Sequence, residues 1–151
     1  VTIDRADPIF VYYAVTCVAL SLDLLFLWGY SGAVRAKAGA AINPEDAARF
    51  GVPLSLTDPP EVARVLRAHS NAQAAIFPFL LLGLVFALIG GAGLIAAILF
   101  AIFTAARIAH SIAYLLGRQP WRTLAFVAGL LATLALIVAL VWRIAQTATS
   151  P

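Results

Sequence analysis

Charge is scarce in this chain: Asp, Glu, Lys and Arg together make up 11% of 151 residues, against 63% hydrophobic residues. That scarcity excludes a water-soluble domain, and the mean hydropathy of +0.98 places the chain among integral membrane proteins. Cysteine is nearly absent. Cys17 is the only one, so no intramolecular disulfide can form and the redox compartment stays open. Inside the first apolar span it reads as a small packing residue. The net charge of +3 is too small and too scattered for a nucleic-acid surface. There is no internal repeat and no low-complexity tract, and no metal site is expected.

What the chain does have is four apolar spans, roughly Pro8 to Tyr30, Val62 to Ile89, Leu94 to Leu116 and Trp121 to Ala145. Each is long enough for the ~20 residues that a helix needs to cross hydrocarbon. Asp7-Pro8 supplies a cap and a proline at the first helical position, and Asp58-Pro59-Pro60-Glu61 reads as a capping box that starts the second helix at Pro59. Gly90 to Gly93 and Gly117 to Pro120 read as tight turns. The first span is not a cleavable signal peptide: it is long, follows Asp4 and Asp7, and lacks a clear small-residue cleavage site. The expected fold is all-α, a single membrane domain over 1–151 with helices at about 8–30, 59–89, 94–116 and 121–145.

The stretch from Ser31 to Asp58 is the one extended polar loop, and in it Asn43-Pro44-Glu45-Asp46 reads as the capped start of a short helix ending near Gly51. Basic residues gather on this side. Arg35, Lys37, Arg49, Arg118 and Arg122 lie in or beside the loops, with Arg64 and Arg67 on the adjoining helix, against Arg5 and Arg143 opposite. The positive-inside rule then puts this side in the cytoplasm and both termini away from it. Ala125, Gly129 and Ala132 on the last span allow close approach of another helix.

Polar residues within the spans form stripes. Arg67, Asn71, Ala74 and Pro78 share one face of the second helix, Arg107, His110 and Tyr114 one face of the third, and Arg122-Thr123 opens the fourth. Charge at membrane depth is costly by several kcal/mol, so these groups must be paired, hydrated or working. Converging near one interface, they suit a polar, anionic ligand. A purely structural reading, in which they tie helices together and snorkel to headgroups, stands beside it. Asp23, midway along the first span, lies ~18 Å below Arg35 by helical rise, and Arg107 lies ~15 Å below Gly117. An Asp23–Arg107 ion pair is the expected consequence.

Four segments in register carry a resemblance: Asn43-Pro44-Glu45-Asp46-Ala47, Arg67-Ala68-His69-Ser70-Asn71 with Pro78-Phe79-Leu80, Arg107 to Tyr114, and Arg122-Thr123. Together they resemble the membrane-associated proteins in eicosanoid and glutathione metabolism, the MAPEG family, nearest its microsomal prostaglandin E synthase branch. The resemblance implies a homotrimer of four-helix subunits in the bilayer with glutathione bound between neighbours, and a lipophilic small molecule as second substrate. It implies a catalytic set of Arg122, which would stabilise the thiolate, with Thr123 and Asp46. It also implies a glutathione-binding set of Arg67, Ser70, Asn71, His110 and Tyr114, with Arg35 reaching in from the adjoining subunit. The chain departs from the family pattern at Ala74, where a Glu is usual, at Ser70, where the prostaglandin branch has a cation, and at Phe126, where a tyrosine is found. The implied activity is that of a glutathione-dependent membrane transferase, isomerase or peroxidase acting on a lipophilic electrophile. The alternative is a non-catalytic accessory subunit of a membrane complex with the same fold.

Overall fold

A computed structural model describes residues 7–149; Asp4 and Arg5, used in the sequence reading, lie outside them. The described chain is all-helical, with α1 Pro8–Ala38, α2 Pro44–Phe50, α3 Pro60–Leu88, α4 Gly93–Leu115 and α5 Trp121–Thr149. All but α2 are long and apolar enough to cross a membrane, as in an integral multi-pass membrane protein.

The start of α1 follows local chemistry: the Asp7 carboxylate accepts a hydrogen bond from the Ile9 backbone N–H at 2.9 Å, and Pro8 occupies the first turn. Its end corrects the expected boundary at Tyr30. No proline interrupts the run, Ser31 turns its hydroxyl back onto the Trp28 carbonyl at 2.6 Å, and Arg35 and Lys37 suit the negative end of the helix dipole. The helix therefore continues to Gly39, whose φ of 63° ends it in the left-handed region. Arg35 consequently stands on a helix and not in a loop.

Two expected caps are absent. Asn43 makes no cap bond to α2; its amide donates to the Asp46 carboxylate at 3.2 Å. The expected capping box at α3 also fails, and the helix starts at Pro60, because Asp58 is taken by the Arg35 guanidinium, at 2.8 Å from Nη2 and 3.2 Å from Nε. This pair ties the end of α1 to the start of α3. The loop between them is pinned by backbone bonds from Ser55 N–H to Ala41 C=O at 2.7 Å and from Ala41 N–H to Pro53 C=O at 3.2 Å.

The central α3–α4 pair carries α1 on one side and α5 on the other. Leu20, Leu27, Ile76, Phe79, Phe100, Phe103 and Leu136 are buried between the helices. The Phe79 and Phe103 rings stack face to face, with Phe100 edge-on to Phe79. The outward faces are apolar and exposed, including Val15, Leu22, Trp28, Val138 and Trp142, as a bilayer or neighbouring subunits require.

Candidate functional site

The polar stripes meet where α3, α4 and α5 approach the basic end of the bundle. Arg107 is 1% exposed, and its Nη2 donates to the Asn71 carboxamide oxygen at 2.9 Å and lies 3.3 Å from His110 Nδ1. Its Nε is buried without a partner. A buried guanidinium so placed orders the two neutral groups around it, because each offers an acceptor that the cation needs.

Nearer the membrane edge, Arg122 lies over the Tyr114 ring, with Cζ 4.8 Å from the centroid. Gln119 in the preceding turn holds it there. With the amide oriented to satisfy both its groups, the oxygen accepts from Arg122 Nη2 at 2.7 Å and Nε at 3.3 Å, while the nitrogen donates to the Thr123 hydroxyl at 3.0 Å. Sequence reading overlooked Gln119, although an amide three and four residues before Arg122 and Thr123, at a helix start, was a usable signal.

Asn71, His110, Tyr114, Arg122, Thr123 and Phe126 line one cavity of 220 Å³. A second cavity of 220 Å³ shares Asn71 and Phe126 and continues along α3 and α5 past Ala74, Pro78, Gly129 and Leu130, with Arg107 in its wall. Gly129 packs beside Arg107 there, with its Cβ position 3.5 Å from Arg107 Cδ, an ordinary contact distance.

The expected Asp23–Arg107 ion pair is not formed. Among the described residues Arg35–Asp58 is the one ion pair within 4 Å, and Asp23 accepts a hydrogen bond from the Ser111 hydroxyl at 2.9 Å. Ser111 lies one turn beyond Arg107 on the same face of α4, so α1 meets α4 about one turn, ~5 Å, nearer the basic end than equal-depth counting implied. Arg107 turns instead toward Asn71 and His110, remaining within electrostatic reach of Asp23.

The remaining residues suggested for the site lie elsewhere within one chain. Arg35 and Asp46 line a separate cavity of 400 Å³ between the end of α1 and the α2 loop, with Phe50 and Val52. Arg67 and Ser70 are exposed on α3 and line neither cavity beside Arg107.

Comparison with known proteins supports a family assignment. The MAPEG family model matches residues 13–142. Human prostaglandin E synthase is 37% identical over 117 residues, covering 77% of each chain. The horse prostaglandin E synthase is 38% identical over 117 residues, covering 77% of this chain and 76% of its own. Rat microsomal glutathione S-transferase 1 is 39% identical over 132 residues, covering 84% of this chain and 83% of its own. With a family model spanning most of its length and relatives of this identity across three quarters of it, the chain belongs to the MAPEG family.

Proposed function

We propose that this protein is a glutathione-dependent membrane enzyme acting on a lipophilic electrophile, with the polar cavity around Arg122 as its thiol site. The observation that carries the proposal is the fixed Arg122 guanidinium, held by Gln119 and Tyr114 at a cavity lined by Asn71, His110 and Thr123. Bound glutathione would supply a thiol nucleophile. Such a thiol titrates near ~8.5 in water, and Arg122 favours its ionised form by placing a permanent cation beside it. Thr123 offers a hydroxyl donor from the same helix start. Asn71, His110 and Tyr114 offer the neutral donors and acceptors that peptide amides need, and Arg107 holds Asn71 in place.

The residues fit the group in chemistry, and the size of the cavity suggests how the site is completed. At 220 Å³ the cavity is smaller than the ~300–1,000 Å³ usual for a ligand of this size. We infer that the protein assembles as a homotrimer in which a neighbour's Arg35 and Asp46 close the site, with exposed Arg67 and Ser70 facing the same junction. The basic end is assigned to the cytoplasm on its surplus of Lys and Arg. Native mass analysis in gentle detergent tests the assembly: only monomers or dimers would count against it.

The test of the chemistry is thiolate absorbance on adding glutathione to the purified protein near neutral pH. Arg122→Ala should abolish the signal and most turnover with the oligomer intact. Arg122→Lys should restore part, since a point charge lacks the planar fork. If the wild-type protein neither binds millimolar glutathione nor forms thiolate, the accessory-subunit reading replaces this one. That second reading draws on Arg107, which has no carboxylate within 4 Å among the described residues beside Ala74.

A further inference from the structure

At the opposite end of the bundle, a cleft of 740 Å³ opens between the end of α3, the start of α4 and the end of α5. Its walls are apolar: Phe86, Ile95, Leu99, Val138 and Trp142 line it. Along α4 it runs from Ala92 to Leu99, which is about 10 Å of helical rise. Its volume lies inside the ~300–1,000 Å³ range of ligand sites. The thiol site lies at the other helix ends, so this cleft has no part in it.

Arg143 makes this cleft more than an exposed apolar face. Its Nε donates to the Ile89 carbonyl at 3.2 Å, one of the carbonyls left over at the C-terminus of α3. The guanidinium lies against the turn at Gly90, whose φ of +69° favours glycine and whose Cβ position is 3.4 Å from Arg143 Nη2, an ordinary contact distance. The cation is therefore positioned and not free to snorkel away. No carboxylate approaches Arg143 within 4 Å among the described residues. Asp7, the one described acid at this end, caps α1 through the Ile9 N–H. Trp142, 68% exposed beside it, is the residue type that marks the headgroup level of a bilayer.

We propose that this cleft binds an anionic phospholipid, with the headgroup phosphate on Arg143 and an acyl chain along Leu99 and Val138. A fixed guanidinium at headgroup depth, opening onto an apolar channel that leads into the bilayer, matches both parts of such a molecule. A net-negative headgroup is preferred over a zwitterionic one because, among the described residues, the cleft is lined by a cation and by no acid to meet a choline. A second copy of this chain fits less well, since its described acids at this end come down to the engaged Asp7.

The experiment is lipid titration of the purified, detergent-solubilised protein, read by native mass spectrometry. Phosphatidylglycerol and phosphatidylcholine of identical acyl chains serve as probes. Phosphatidylglycerol should be retained at one per chain at least fivefold more tightly than phosphatidylcholine. Arg143→Gln should erase that preference, and Arg143→Lys should keep most of it. Ala135→Trp, which fills the cleft without touching the Arg143 contact to Ile89, should lose both lipids while the oligomer persists. Equal retention of the two lipids by the wild type, or an unchanged preference in Arg143→Gln, would overturn the proposal. So would disruption of the oligomer by Ala135→Trp in a protein that retains no lipid, because a neighbouring copy would then be the occupant. Should Arg143→Gln fail to fold, the comparison of wild type, Arg143→Lys and Ala135→Trp still decides.

Discussion

Gln119 and Arg122 form a clamp across the α4–α5 turn, with the amide oxygen 2.7 Å from Arg122 Nη2 and the amide nitrogen on the Thr123 hydroxyl. If Arg122 stabilises a thiolate as proposed, Gln119 acts through it as a positioning residue. A hydrogen bond of this kind contributes about 1 kcal/mol net, so Gln119→Ala should reduce kcat about fivefold. The pH midpoint for thiolate formation should rise with it. A fall in turnover with an unmoved midpoint would mean that Gln119 only stabilises the turn.

Asp23 and Ser111 should be energetically coupled. Asp23 is half-buried, and removing Ser111 takes away its hydroxyl donor, so Ser111→Ala should lower stability in detergent by about 1 kcal/mol. In a double-mutant cycle, Asp23→Ala should couple more strongly to Ser111→Ala than to Arg107→Gln. The reverse order, measured by thermal unfolding, would restore the ion pair expected from helix counting.

Ala74 and Arg107 face one cavity, which offers a gain-of-stability test. Ala74→Glu places a carboxylate where the guanidinium can reach it and should add about 1–2 kcal/mol. Arg107→Gln in that background should remove the gain. No stabilisation, or the same gain with and without Arg107, would show that the cation is already satisfied.

The Arg35–Asp58 pair bridges the ends of α1 and α3, with side chains 31% and 18% exposed. At that exposure its contribution to global stability is small, about 0–1 kcal/mol. Its effect is local: Asp58→Ala should speed tryptic cleavage at exposed Arg49 several-fold with little change in Tm. Unchanged cleavage would mean that the backbone bonds between Ala41 and Ser55 hold the loop unaided.

These cases separate what the sequence states from what it withholds. Asp7-Pro8 is legible because capping depends on neighbouring residues, and the four spans are legible because hydrocarbon thickness sets their length. Asp58 has the same local signature as a cap, yet it is recruited by a cation 23 positions away, a competition that local pattern cannot reveal. Asn71 lines one cavity with His110 and an adjoining one with Arg107 because their stripes lie on facing helix surfaces, which periodicity does indicate. Asp23 fails for a geometric reason: a one-turn offset between α1 and α4 replaces Arg107 by Ser111, and no composition signal encodes that offset. Gln119 stands between the two: its spacing of three and four residues to Arg122 and Thr123 is visible in the sequence, while the clamp itself depends on an amide orientation within a turn.

The unequal lengths of α1 and α4 have a consequence for access. The Ser111–Asp23 hydrogen bond fixes their register, and from it α1 runs on to Ala38 while α4 ends at Leu115. At 1.5 Å per residue α1 therefore projects about 16 Å beyond the end of α4. The basic end is therefore a stepped rim, tall along α1 and low at the Gly117 turn. Water can fill the step above Arg122, while the cavity below it continues past Phe126 and Leu130 to the apolar sides of α3 and α5. A water-borne peptide and a bilayer-dissolved partner could thus approach the same guanidinium from perpendicular directions, without either crossing the other's solvent.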